Sequence, residues 1–148
     1  MFERIKRLVR RLQPDTGALG ESLAATWLAQ ERGYAIVARN WRDPNDLRQE
    51  LDVVALDGPV LVFVEVKTRD ASAHVSGYHA INQRKRRALR RACDAYLRAL
   101  PISRRPSMFR FDVVEVALES IIPLEEPGTD PRVRHFANVP LFRTYYRR

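Results

Sequence analysis

Three charged side chains interrupt a stretch of sequence that otherwise has the composition of a buried β-hairpin. Asp52 lies in the first arm, and Glu65 and Lys67 follow the apolar run at residues 60–64 of the second. A carboxylate without a partner in such a strand suffers a large desolvation penalty, so a positive group should lie beside it. Because side chains alternate along a strand, Glu65 and Lys67 share one face. The pattern predicts clustered carboxylates with a cation among them.

The turn between the two arms decides which side chains face each other. A two-residue loop at Gly58-Pro59 sets Asp52 directly opposite Glu65, whereas a loop at Asp57-Gly58 leaves them only on the same face. In either case the following residues point the other way into a core: Leu51, Val53, Val62, Val64 and Val66.

Two facing carboxylates and a lysine form a candidate divalent-cation site. Carboxylate oxygens suit Mg²⁺, which usually takes one or two protein carboxylates together with phosphate oxygens and waters. The alternative is a solvated Glu-x-Lys ion pair, which is common in strands. Here the apolar flanks and the second acidic residue favour the metal site.

The composition indicates a polyanionic partner. The 148 residues contain 26 Lys and Arg against 18 Asp and Glu, a net charge of +8, which favours nucleic acid. The single cysteine, Cys93, excludes an internal disulfide and a multi-cysteine zinc site. No apolar run has membrane-spanning length and no signal-type segment begins the chain, so we expect a soluble, cytoplasmic protein.

Hydrophobic periodicity predicts the elements that carry these groups. Helices are predicted at residues 1–11, 18–32 and 83–100, and strands at 34–41 and 108–116 on either side of the hairpin. Glu21 lies near the start of the second helix, where its charge either compensates the helix dipole or serves the site. Asn82 is a predicted N-cap, and Gly33 a predicted C-cap.

The helix predicted at residues 83–100 carries seven positive side chains around its apolar stripe: Arg84, Lys85, Arg86, Arg87, Arg90, Arg91 and Arg98. So many like charges disfavour an isolated helix, and a phosphate backbone would relieve the repulsion. We predict that Lys85, Arg86, Arg90 and Arg91 bind phosphates, together with Arg69 from the preceding loop. A solvated face paired with acids elsewhere is the alternative.

Composition divides the chain into three parts. Residues 1–14 form a basic amphipathic arm, residues 15–118 a nucleic-acid-binding core, and residues 119–148 a Pro-containing linker with a basic, aromatic end. The rings of Phe136, Phe142, Tyr145 and Tyr146 could stack on bases. Closing the core, as a final short strand, is the alternative for this segment.

Several pieces of the sequence occur in an order that resembles a known family. They are Gly20-Glu21, Gly33-Tyr34, Arg39-Asn40, Glu50-Leu-Asp52, Phe63-Val-Glu-Val-Lys67-Thr-Arg69, Lys85 and Arg110-Phe-Asp112. Together they resemble the YraN-type family of small bacterial proteins. That family is similar to the restriction-endonuclease-like, or PD-(D/E)xK, nucleases and especially to Holliday-junction resolvases. Two departures are Gln49, which stands where Gly is usual, and a slightly longer loop at residues 43–48.

The resemblance implies an α/β, restriction-endonuclease-like three-layer fold, with a central mixed β-sheet flanked by helices. It also matches Glu21, Asp52, Glu65 and Lys67 with the acidic and lysine positions of such nucleases. A homodimer is implied by analogy with the resolvases.

On this resemblance we expect a nuclease that uses Mg²⁺ or Mn²⁺ and acts on DNA, branched DNA included, rather than on RNA. Asp52 and Glu65 are the expected metal ligands with the carbonyl of Val66, and Glu21 would hold a metal-bound water or a second ion. Lys67 would stabilise the transition state. The alternatives are a non-catalytic nucleic-acid-binding module of the same fold and a basic adaptor that docks on an acidic protein.

Overall fold

The computed structural model describes residues 16–69, 81–117 and 133–142. Their elements follow the order α1 (Thr16–Glu31), β1 (Ala35–Asp43), β2 (Asp46–Asp57), β3 (Val60–Arg69), α2 (Gln83–Ala99), a 3₁₀ turn (Ile102–Arg104), β4 (Phe109–Ala117) and β5 (Val133–Phe136). The helix predicted at residues 1–11, most of the loop after Thr68, and Tyr145 and Tyr146 lie outside the described residues.

The five strands form one sheet in sequential order from β1 to β5. The pairs β1–β2, β2–β3 and β4–β5 are antiparallel, and β3–β4 is parallel, with α2 in the connection between them. The sheet is therefore mixed. Helices pack on both of its faces, so the predicted three-layer α/β architecture is confirmed.

The core consists of two clusters, one on each face of the sheet. The cluster under α2 includes Phe63, Leu89, Cys93, Tyr96 and Phe111. The cluster under α1 includes Ala24, Leu28, Val62, Val64 and Val114. Because successive residues of β3 pack in opposite clusters, this strand is covered on both faces, which explains its unbroken apolar run.

The hairpin turns at Gly58-Pro59, one of the two positions that the sequence allows, but one predicted face is wrong. Asp57 pairs with Val60 and Val53 with Val64, the register that brings Asp52 to the level of Glu65. Leu51, however, packs in the cluster under α2, while Val53 packs under α1. The alternation reverses beside Asn40 of β1, whose φ of 49° lies in the left-handed region.

Both predicted helix caps are present. The Asn82 side-chain oxygen accepts a 2.9 Å hydrogen bond from the Lys85 N–H at the start of α2. Gly33, with a φ of 68°, follows α1, and the Tyr34 N–H returns to the carbonyl of Leu28. These contacts satisfy main-chain groups that a helix end leaves without intrahelical partners.

Gly20 allows α1 to lie close against β3. A Cβ added to Gly20 would overlap the Thr68 hydroxyl oxygen and would lie 3.1 Å from the Thr68 Cβ. A larger residue here would therefore push the start of α1, including the adjacent Glu21, away from the sheet.

Residues 133–142 close one side of the core. Beyond β5, the Val139 N–H donates a 2.8 Å hydrogen bond to the Phe111 carbonyl, and Val139 and Leu141 are buried. Phe136 and Phe142 pack against the cluster under α2. Within the three described ranges, neither helix has the length and apolar character that crossing a membrane requires.

Candidate functional site

Asp52 and Glu65 lie on adjoining strands at one end of the paired part of the hairpin. The Asp52 Oδ2 accepts a 2.8 Å hydrogen bond from the Val66 N–H, so its carboxylate is turned toward β3. Glu65 is 4% exposed. The structure thus brings together the two carboxylates that the sequence nominated as metal ligands, with the main chain of Val66 between them.

The surroundings of Asp52 disfavour its negative charge. Burial raises the pKa of Asp52 to about 7, and the negative charges of Glu65 and, less strongly, Glu21 act in the same direction. The Val66 N–H and the Lys85 charge oppose this rise only in part. The nearby positive charge is therefore too weak to offset burial and the neighbouring carboxylates at Asp52.

Two lysines contact a single oxygen of Glu65. The Nζ of Lys67 lies 3.0 Å from Oε1, and the Nζ of Lys85 lies 3.1 Å from the same atom. Burial lowers the pKa of the Lys85 ammonium, but the carboxylates of Glu65, Asp52 and Glu50 together outweigh this effect and raise it. Lys85 is therefore a stable cation at this site.

The charge pattern of α2 predicts Lys85 as a phosphate ligand and does not reveal its contact with Glu65. The two residues belong to different elements, and residues 70–82 separate β3 from the start of α2. The one local indication is that Lys85 lies in the first turn of α2, where the helix dipole disfavours a positive charge.

Glu21 reaches the same region from α1. The helix begins two residues earlier than predicted, at Thr16, and its first turn contains no acidic residue. Glu21 therefore lies beyond the turn in which compensation of the dipole is effective. This position weakens the dipole interpretation and favours a role at the site.

A cleft of about 400 Å³ opens between α1 and the β1–β2 pair. It is lined by Gly17, Ala18, Glu21, Asn40, Arg42, Glu50, Leu51 and Asp52. At its rim, the Arg42 guanidinium forms a 3.1 Å ion pair with Glu50. Glu21 and Asp52 thus line the same cleft, which is large enough to admit part of a ligand.

The predicted phosphate ligands of α2 divide into two sets. Arg86 donates to the Pro140 carbonyl at 2.8 Å, and Arg90 donates to the Leu141 carbonyl at 3.1 Å. These two guanidiniums fasten the 139–142 segment to the helix. Arg91, by contrast, is exposed on the outer face together with Arg84, Arg87 and Arg98.

Arg69, the remaining predicted phosphate ligand, ends β3 beyond Lys67. Its side chain is half-buried, and its Nε has no hydrogen-bond partner among the described residues.

A second polar cluster surrounds Asp112 on β4, which is fully buried. Its Oδ1 accepts from the Arg110 Nε at 3.0 Å and from the Asn138 N–H at 2.9 Å, and its Oδ2 lies 2.8 Å from the His135 Nε2. Arg110 also bonds to Asp57 and to the Tyr34 hydroxyl. Burial alone would raise the pKa of Asp112, but hydrogen bonds from His135, Arg110 and Asn138 lower it below its usual value.

Comparison with known proteins identifies the family. Residues 20–116 match the model of Uncharacterised protein family UPF0102. A UPF0102 protein of Symbiobacterium thermophilum is 42% identical over 118 residues, which are 80% of this chain and 87% of that protein. One of Chlorobium phaeobacteroides is 38% identical over 122 residues, or 82% and 86% of the two chains.

A third relative, from Herpetosiphon aurantiacus, is 32% identical over 127 residues, which are 84% of this chain and 93% of that protein. The resemblance to the YraN-type family is confirmed by these matches, whereas the similarity to PD-(D/E)xK nucleases stays a prediction. On the extent of these matches, this chain belongs to Uncharacterised protein family UPF0102.

Proposed function

We propose that this protein binds nucleic acid through its phosphates and hydrolyses phosphodiester bonds with Mg²⁺ or Mn²⁺. The observation that supports this best is the meeting of Asp52 and Glu65 on adjoining strands, with Lys67 and Lys85 both on Glu65. Glu21 lines the cleft that Asp52 also lines. Carboxylates, cations and a cleft are the parts that metal-assisted phosphoryl chemistry requires.

The donor set fits a hard divalent cation. Within residues 16–69, 81–117 and 133–142, no three His, Cys, Asp or Glu side chains are grouped so as to hold a metal ion. Mg²⁺ does not need such a group, because it commonly binds one or two carboxylates and keeps several waters. The raised pKa of Asp52, caused by burial and then by Glu65, supports the fit because added positive charge would favour ionised Asp52.

Each residue then has a chemical role. A divalent ion, when bound, supplies an activated water and neutralises phosphate charge. Asp52 and Glu65 hold that ion, with the Val66 carbonyl as a further oxygen donor, and Glu21 orients a water at the cleft. Lys67 stabilises the negative charge that grows on the phosphate while the water oxygen bonds to phosphorus and the bond to the leaving oxygen breaks.

The outer face of α2 supplies a surface for the phosphate backbone. Arg84, Arg87 and Arg91 are exposed at spacings that place them on one side of the helix. Contacts between such side chains and phosphates give affinity without base recognition. The net charge of +8 favours the same partner over long range.

This binding surface can be tested by the salt dependence of duplex binding. Replacing Arg84, Arg87 and Arg91 by Gln should lower the slope of log K against log salt by about 2 to 3, since each lost phosphate contact contributes about 0.9. The matched control replaces Arg86 and Arg90 by Gln. Because those guanidiniums are bound to carbonyls, the control should leave the slope almost unchanged, and equal effects of the two variants would contradict the assignment.

A second candidate is a non-catalytic nucleic-acid-binding module. It is favoured by the two lysines on Glu65, which already neutralise that carboxylate without a metal. In this case the charged cluster would be an internal ion-pair network, and the arginines of α2 would still bind phosphates.

Incubation with branched, flapped and single-stranded DNA and with RNA, each with Mg²⁺, Mn²⁺ or EDTA, separates the two candidates. The nuclease cleaves at least one substrate with metal and none with EDTA. Glu65→Gln should remove cleavage, while the control Glu31→Gln, at the exposed far end of α1, should keep it. Binding without cleavage of any substrate would refute the nuclease and support the module.

A further inference from the structure

One carboxylate oxygen in this site is shared by two ammonium groups. Lys67 and Lys85 lie 3.0 and 3.1 Å from the Glu65 Oε1, although their positive charges repel each other. Both ammonium contacts are to Glu65 and neither is to Asp52. The negative charge of Glu65 is therefore already neutralised by the protein itself.

A divalent ion between Asp52 and Glu65 would disturb that balance. It would add two positive charges beside two ammonium groups, and charges at a half-buried site are screened less than charges in open water. The contacts between Glu65 and both lysines cannot all persist in that state at low energy. Metal binding should therefore displace one ammonium from Glu65.

The two lysines differ in how they are held. Lys67 lies two residues from Glu65 on the same face of β3, so its position is set by the strand. Lys85 comes from a separate element, and its side chain is 37% exposed against 27% for Lys67.

Lys85 is also disfavoured by its own helix. It occupies the first turn of α2, which contains no acidic residue and where the helix dipole disfavours a cation. Glu65, and not the helix, holds the Lys85 ammonium in place. Lys85 is the cation that a metal would displace more easily.

We propose that Lys85 is a built-in counter-cation of the carboxylate site, which holds Glu65 when no divalent ion is bound and leaves Glu65 when one binds. The released ammonium is then available to the phosphodiester of the substrate. The inference rests on the proposed metal-dependent function and adds that the protein's own lysine competes with the metal.

The test is a Mn²⁺ titration of the full chain without nucleic acid, in which electron paramagnetic resonance measures Mn²⁺ binding. Lys85→Met removes the competitor and should bind Mn²⁺ about fivefold more tightly than the parent, the gain expected from breaking one partly exposed ion pair. The matched control is Arg84→Met, which removes the same charge from the neighbouring exposed position. Its affinity should stay within about twofold of the parent value.

An unchanged or weaker Mn²⁺ affinity in Lys85→Met, or an equal gain in Arg84→Met, overturns the inference. If the parent binds Mn²⁺ but Lys85→Met has no higher Mn²⁺ affinity, the proposed metal site stands and the counter-cation role of Lys85 is wrong. If neither the parent nor Lys85→Met binds Mn²⁺ at millimolar concentration, the proposed metal site fails as well.

A second measurement keeps the test valid if Lys85→Met folds poorly. The lysine ε-carbon resonances of the parent can be assigned with Lys85→Arg and Lys67→Arg and followed during a Mg²⁺ titration. The Lys85 resonance should move toward that of a solvent-exposed lysine, with a smaller change at Lys67. A response confined to Lys67 would contradict the inference.

Discussion

Asp52 and Asp112 lie on the two strands that flank β3, both near Val64, yet their surroundings are opposite. Asp112 receives hydrogen bonds from Arg110, His135 and the Asn138 N–H, and its pKa is lowered. Asp52 receives one main-chain N–H, and burial raises its pKa to about 7.

The difference distinguishes a structural carboxylate from a candidate functional one. Around Asp112 the fold provides donors enough to stabilise the anion, and that network ties β4 to β5 and to the end of the hairpin. Around Asp52 the fold adds another carboxylate and few donors. Carboxylates whose pKa is raised by burial and by like charge, as at Asp52, concentrate at functional sites.

The largest expected effect is on cleavage. Asp52→Asn should lower the metal-dependent rate about a thousandfold or more, because a neutral amide is a poor ligand for a hard cation. Urea unfolding without metal should show a stability equal to or above that of the parent. Strong destabilisation of Asp52→Asn would show that Asp52 is structural, like Asp112, and would remove the contrast.

Asp112→Asn should have the opposite outcome. Removing this charge leaves Arg110 and His135 without their buried partner, which should cost about 3 kcal/mol of unfolding free energy. The measurement is urea denaturation of both variants under one condition. A cost below about 1 kcal/mol would mean that the Asp112 network is not what holds this part of the fold.

Gly20→Ala should affect both stability and the site. The added Cβ would overlap the Thr68 side chain, which should cost about 2 kcal/mol of unfolding free energy and should shift Glu21. Adding Thr68→Ala should recover part of the loss, as thermal unfolding would show. The absence of any recovery would indicate that the contact between α1 and β3 does not limit the position of Glu21.

A further contrast between the two carboxylates concerns pH. Because the pKa of Asp52 in the folded chain, about 7, lies above its usual value of 3.8, its proton stabilises the fold. That contribution is complete below the usual value and is lost as the pH rises through the folded value. The free energy of unfolding of Asp52→Asn minus that of the parent should therefore grow by up to about 4 kcal/mol between pH 4 and pH 8.

Asp112 provides the reverse case for the same measurement. Its pKa is lowered in the folded chain by hydrogen bonds that outweigh burial, so its contribution is present at neutral pH and is lost in acid. The stability deficit of Asp112→Asn should shrink only as the pH falls below 3.8, the usual value. Equal pH dependence of the two variants would contradict the contrast.

Local patterns in the sequence were sufficient for much of the fold. Residues 57–59 limited the turn between β2 and β3 to two positions, one of which the structure has, and Asn82 and Gly33 marked the helix ends. Each of these features depends on residues close together in the chain, where steric and hydrogen-bonding preferences act directly.

Contacts between distant segments could not be predicted in the same way. Arg86 binds the carbonyl of Pro140, which is 54 residues away, and His135 meets Asp112 across 23 residues. Lys85 reaches Glu65 only because α2 packs over β3. Periodicity assigns a residue to a face of its helix but does not identify its partner. The sequence therefore does not distinguish the exposed arginines of α2 from those that donate to main-chain carbonyls.

Cys93 offers a way to observe opening of the molecule. It is the chain's one cysteine, it is fully buried on the inner face of α2, and burial raises the pKa of its thiol, so it should be inert toward thiol reagents in the native state. Its labelling rate would therefore report the unfolding of the α2 side, without any engineered probe. A cysteine introduced on the outer face of α2 could likewise be labelled selectively while Cys93 stays silent.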